Sequence, residues 1–118
     1  MKFSESLKKS IDFRQVYNNG TSHANRLLVM YVRKNDTGRN RLGISVSKKV
    51  GNSVVRHRLT RLIRESYRLQ EESFCSGLDI VVIARVSAKK ASYFEIERAL
   101  LHLASLHFII SEKKMELL

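Results

Sequence analysis

The segment Lys48-Lys-Val-Gly-Asn-Ser-Val-Val-Arg-His-Arg-Leu-Thr-Arg-Leu-Ile-Arg-Glu-Ser-Tyr-Arg68 carries seven Lys or Arg residues and a single acid, Glu65. At about 100° of rotation per residue, His57, Arg61, Arg64 and Arg68 project into one narrow arc of a helix. Val55, Leu59, Leu62, Ile63 and Leu69 fill most of the opposite side. Such a helix buries one face in a core and holds its guanidinium groups out on the other. Guanidinium forks match phosphate geometry, stay charged and stack on bases, so a polyanion is the natural partner. Asn52 is suited to cap this helix, which is expected to run to about Gln70.

A run of charge is usually a solvated helix face. Two features argue against that here. Solvated helices mix signs so that i,i+4 pairs form, whereas Glu65 stands alone among the cations. Arg56 and Arg58 also fall in the first turns, where the helix dipole disfavours positive charge. An external anion would offset that local cost.

Upstream, Ser10 or Asp12 is placed to cap a short helix through Phe13, Val16 and Tyr17, closed near Gly20. Leu27 to Arg33 reads as a strand. Turn chemistry from Asn35 to Asn40 predicts a hairpin between it and a second strand, Arg41 to Ser47. On that strand Leu42, Ile44 and Val46 share a core face; Arg41, Gly43, Ser45 and Ser47 share a small polar face suited to water or a ligand.

Downstream, Asp79 to Ala84 contains Ile80-Val-Val-Ile83 and reads as a strand buried on both faces. A last helix starts near Ser92 and carries Ile96, Ala99, Leu100, Leu103 and Leu106 at helical spacing. The register fades after Phe108, and the tail over 111–118 is expected to fray. The order of elements predicts one α+β domain over 1–118, a sandwich with helices packed on a small sheet.

Bulk composition narrows the function classes. The chain has 118 residues, 43% apolar and 28% charged, and a net charge of +11. Such a cationic excess makes most sense beside nucleic acid. No apolar run approaches a membrane-spanning length, and residues 1–10 lack the apolar core of a secretory signal. A lone cysteine, Cys75, leaves no internal disulfide or CxxC metal site. A cytoplasmic location without a membrane partner is expected.

The run Ser45-Val-Ser-Lys-Lys-Val-Gly-Asn-Ser-Val-Val-Arg-His-Arg-Leu-Thr-Arg-Leu-Ile-Arg-Glu65 closely resembles the signature of the bacterial ribonuclease P protein subunit. The likeness extends to Ser10-Ile-Asp-Phe-Arg-Gln-Val-Tyr17, Gly20, Leu27 to Tyr31, and Asp79-Ile-Val-Val-Ile-Ala-Arg85. The resemblance implies an αβββαβα sandwich with a small mixed sheet and a left-handed βαβ crossover, against the usual handedness. It also implies a further short strand near Thr21 to His23.

For function, the resemblance implies the protein subunit of a ribonucleoprotein that removes the 5′ leader of precursor tRNA. The catalytic RNA performs a Mg²⁺-dependent hydrolysis, one protein is expected per RNA, and no cofactor is expected on the protein. Arg56, His57, Arg58, Arg61, Arg64 and Arg68 would lie on the helix that meets the RNA, with Lys48, Lys49 and Asn52 in the turn before it. His57 stands where the family usually has Asn; an imidazole keeps hydrogen-bonding and stacking capacity.

By spacing alone, Phe13, Tyr17 and Tyr31 read as core aromatics. The resemblance instead places them in a cleft between the first helix and the sheet, where the single-stranded leader lies, with Ser45 and Ser47 on its floor. Tyr17 takes the place of a commoner Phe. Aromatic stacking beside a basic groove is how sequence-tolerant single-strand binding works. A general structured-RNA-binding protein, ribosomal or assembly-related, shares the composition but gives no reason for such a cleft.

Protein-borne catalysis finds no support in the pattern. His23, His57, His102 and His107 show no ligand spacing, and Asp12, Asp36 and Asp79 are isolated rather than clustered as a two-metal nuclease requires. Cys75 has no histidine near it in sequence and reads as a loop or core thiol.

Overall fold

The computed structural model describes residues 1–111, so the expected fraying of the tail beyond Ser111 lies outside the described residues. Eight principal elements follow in order: β1 (Ser4–Ser6), α1 (Ser10–Asn19), β2 (Thr21–Ala24), β3 (Leu28–Lys34), β4 (Asn40–Ser45), α2 (Ser53–Gln70), β5 (Leu78–Ala84) and α3 (Tyr93–Leu106). The result is a mixed α+β domain of a five-stranded sheet and three helices. The short strand expected near Thr21 is present as β2. β1 was not legible, because three residues of Ser-Glu-Ser carry no strand pattern.

The sheet order is β1-β4-β5-β3-β2. The expected hairpin between β3 and β4 does not form. Instead β5 lies between them, antiparallel to β3 and parallel to β4. Ile80 and Val82 are fully buried on one face and Val81 on the other. A strand with apolar residues on both faces belongs at the sheet centre, where neighbours satisfy both edges of its backbone. The turn residues serve that arrangement: Asn35 donates its side-chain amide to Asp79 Oδ1 at 2.8 Å, and its backbone N–H to Gly77 O at 2.8 Å. The loop therefore folds back on the entry to β5.

Two layers cover the sheet. On one face α2 and α3 bury Leu59, Ile63, Tyr67, Ile96, Leu100 and Leu103 against Leu28, Met30, Ile80 and Val82. On the other, α1 covers less area, with Val16, Leu7 and Val81 at the centre and Phe13, Tyr31 and Ile83 around them. Asn52 caps α2 as expected, accepting from Val55 N at 3.0 Å. α1 differs: Lys9 is its N-cap residue and makes no side-chain cap, while Asp12 sits within the first turn. Gly20 closes α1 where a Cβ would lie 2.6 Å from Val16 O and 2.8 Å from Val32 O. Only glycine lets helix end and strand approach that closely.

The apolar side of α2 also departs from expectation. Leu69 is 54% exposed, and Tyr67 takes the buried place, with none of its surface exposed. The Tyr67 hydroxyl is satisfied by Ser4 Oγ at 2.7 Å and the Asn40 side-chain amide at 3.2 Å. Both partners come from distant strands, which helical periodicity cannot reveal.

Asp79, fully buried at the start of β5, ties the sheet to α1. Arg41 donates to both of its oxygens, at 2.8 and 2.7 Å, and also lies 3.6 Å from Asp12 of α1. Burial pushes the Asp79 carboxyl up, but the Arg41 and Asn35 hydrogen bonds, with the charges of Arg41 and Arg33, hold it below its ordinary 3.8. A depressed carboxyl stabilises the fold fully above its unfolded pKa and loses that contribution as pH falls through the lower native value. Stability measured by urea denaturation is therefore expected to fall on acidification below about pH 4. Asp79→Ala should cost about 3 kcal/mol at neutral pH and flatten that acid dependence.

Candidate nucleic-acid interface

α2 turns the sequence pattern into two kinds of arginine. Arg61 and Arg64 are exposed, as is His57, and among the described residues neither arginine has an ion-pair or hydrogen-bond partner. Arg68 is also exposed but is bound by Glu65, through two hydrogen bonds of 2.9 and 2.5 Å one turn back. Glu65 therefore does not stand alone. Arg58 is half-buried and donates to Ala91 O at 2.6 Å, fastening α2 to the approach to α3. The open cationic arc accordingly centres on His57, Arg61 and Arg64.

Arg56 occupies a different setting. It is half-buried, its Nε is buried without a hydrogen-bond partner, and it lines a cleft with Ile44, Val46, Ser53, His57 and Thr60. An unsatisfied buried donor carries a desolvation cost of about 1–3 kcal/mol, which an incoming acceptor would relieve. Lys48, Lys49 and Asn52 are exposed in the turn leading into α2. That turn is fixed by the Val50 N–H donating to Ser47 O at 3.1 Å.

On the opposite face of the sheet, Phe13, Tyr17 and Ser45 meet in an open cleft of about 450 Å³, together with Lys8, Ser10, Arg14 and Ile44. Phe13 and Tyr17 have ring centroids 6.4 Å apart, and Tyr17 stands edge-on to Tyr31 at 5.0 Å. Tyr31 is half-buried behind Tyr17 and outside the cleft lining, so it supports the aromatic row from below. Ser47 lies away from this cleft, in a groove with Lys49, Ile83 and Arg85. Burial pushes the Tyr17 phenol up from its ordinary 10.0.

Gly43 fixes the cleft floor. A Cβ there would lie 2.7 Å from two atoms of the Phe13 ring, so the ring rests directly on the bare strand. Phe13 thus packs one side of its ring on β4 and lines the cleft with the other. Lys8, Arg14 and Arg85 were not singled out from the sequence. Lys8 lies just before the Ser10–Tyr17 motif and Arg14 within it, and their charge near Phe13 is the signal that would have found them.

The histidines do not converge on one point. His102 Nδ1 lies 3.1 Å from the Asn25 amide, and His107 packs edge-on against His23 with its Nε2 3.0 Å from Met30 O. Among the described residues no group of three or more His, Cys, Asp or Glu side chains is placed to hold a metal ion. Cys75 is an exposed free thiol. No helix among them is long and apolar enough to cross a membrane.

Comparison with known proteins bears on the family and the fold. The family model described as Ribonuclease P matches residues 1–106. The ribonuclease P protein component of Lachnoclostridium phytofermentans is 64% identical over 94% of this chain and 96% of its own length. That of Alkaliphilus metalliredigens is 54% identical over 87% and 93%. Among solved structures, the RNase P protein of Staphylococcus aureus superposes with a TM-score of 0.82 at 38% identity, covering 90% of this chain and 97% of that one. The chain belongs to the ribonuclease P protein family, as a protein component of the tRNA-processing ribonucleoprotein.

Proposed function

We propose that the protein binds the catalytic RNA of ribonuclease P through the exposed side of α2, and the 5′ leader of precursor tRNA through the cleft beneath α1. One observation carries this reading: an open guanidinium face and a cationic aromatic cleft flank the same strand, β4, with Ile44 bordering both clefts. His57, Arg61 and Arg64 offer phosphate contacts on α2, extended by Lys48, Lys49, Asn52 and Arg56 at its start. Arg58 and Arg68 contribute the guanidinium donors left over from their internal bonds. In the cleft, Phe13 and Tyr17 supply ring faces for stacking, Ser45 a hydroxyl, and Lys8 and Arg14 phosphate contacts. Tyr31 steadies Tyr17, and Ser47 carries the path toward Lys49.

The RNA subunit performs the hydrolysis with Mg²⁺, and the protein acts by positioning. Contacts to a leader that the product lacks raise affinity for substrate over product, which lowers KM and limits product inhibition. Cationic screening by the protein lowers the salt and Mg²⁺ the RNA needs. One protein per RNA, working in the cytoplasm where precursor tRNA is made, completes the reading.

In the reconstituted holoenzyme, Phe13→Ala is expected to weaken binding of leader-bearing precursor by about 1–3 kcal/mol, with leaderless tRNA unaffected in the same competition assay. Gly43→Ala, which must displace the Phe13 ring, should reproduce that selective loss. Equal affinity of the unaltered holoenzyme for both tRNAs would favour a general structured-RNA binder. Arg61→Ala should weaken assembly with the catalytic RNA and flatten the plot of log affinity against log salt by about one unit. Purified protein without RNA is expected to leave precursor tRNA intact in a gel assay; cleavage would move the chemistry onto the protein.

A further inference from the structure

β1 covers only part of β4. Its pairing runs from Ser4 against Asn40 to Ser6 against Leu42, and ends with Leu7 N–H donating to Leu42 O at 2.8 Å. Backbone groups of a strand alternate between its two edges, so Ile44 points its N–H and C=O the same way as Leu42. The other edge of β4 remains paired with β5 through Ser45. Among the described residues no strand continues the pairing beyond Leu42, and on this edge the half-buried Ile44 has no main-chain partner.

An open sheet edge invites a second strand, and proteins guard such edges with charge. This edge is flanked by cations on both sides: Lys8 and Arg14 in the aromatic cleft, Arg56 in the cleft beside α2. On a chain of net charge +11, a second copy would bring these groups against their own kind. A single-stranded polyanion meets none of that repulsion. Its bases each present adjacent donors and acceptors to an N–H and C=O pair, and its phosphates reach the flanking cations.

We infer that the uncovered edge of β4 at Ile44 forms main-chain hydrogen bonds to a base of single-stranded RNA lying across the sheet. The inference rests on the leader-cleft reading and gives it a definite contact. Main-chain pairing accepts every base, so it anchors the strand without selecting a sequence, while Phe13 and Tyr17 stack on neighbouring bases. It also places the bound strand at the border with the α2 face, within reach of the unsatisfied Arg56 Nε.

Hydrogen exchange at the Ile44 amide, read by fragment-resolved mass spectrometry on the holoenzyme, tests this. Leader-bearing precursor tRNA should slow that exchange at least tenfold relative to leaderless tRNA. Replacing Ile44 by its α-hydroxy acid analogue, which deletes the N–H and keeps the side chain, should weaken leader-bearing precursor by about threefold to tenfold and leave leaderless tRNA unchanged. Unaltered exchange, with leader affinity still sensitive to Phe13→Ala, would overturn the main-chain contact while the leader cleft stands. Loss of both responses would overturn the cleft reading as well. Protection that appears with rising protein concentration and no RNA would assign the edge to a second copy and overturn the inference.

Discussion

The burial of β5 on both faces is the constraint from which the rest of the architecture follows. Its central residues alternate into two separate apolar clusters, Ile80 and Val82 beneath α2 and α3, Val81 beneath α1. Each face therefore needs its own cover. Two long helices seal one face, whereas the ten-residue α1 is too short to seal the other. What it leaves open is the cleft of Phe13, Tyr17 and Ser45. The cleft is thus a consequence of unequal cover on a two-faced strand, and Gly43 adjusts its depth by letting an aromatic ring lie on the backbone.

Charge is distributed by a related logic. Several acids are committed to structural tasks: Asp79 to Arg41, Glu71 to the backbone N–H groups of Lys2 and Phe3, Glu95 to the capping box of α3. Glu65 holds Arg68. Acids spent in this way leave Arg61, Arg64, Lys8 and Arg14 without neutralising neighbours in the described structure. The cationic surfaces come from where the few acids are used as much as from how many cations there are. Counterion release then makes such surfaces favourable beside RNA phosphates.

Legibility in the sequence followed interaction range. α2 and its Asn52 cap, the double burial of β5 and the apolar stripe of α3 were readable because each is set by residues within a few turns or along one strand. The exchange of Leu69 for Tyr67 was not, since Ser4 and Asn40 reach the Tyr67 hydroxyl from far along the chain. The same holds for Arg58, whose partner is the carbonyl of Ala91. Glu65 and Arg68, by contrast, are three apart, and their pairing was open to a sequence reading that counted i,i+3 contacts as well as i,i+4.

The order of β4, β5 and β3 separates the two levels most clearly. Local turn chemistry between Asn35 and Asn40 is compatible with a hairpin, and alternation along Arg41 to Ser47 defines a core face and a polar face. The sequence by itself determined the elements, the cationic arc and the signature of the family, because these depend on local periodicity and residue type. Only the tertiary structure decided that β5 separates the two strands, that β1 stops short at Leu42, and which arginines remain open. Those outcomes depend on long-range burial and pairing, where several arrangements satisfy the local rules and only the packed whole selects among them.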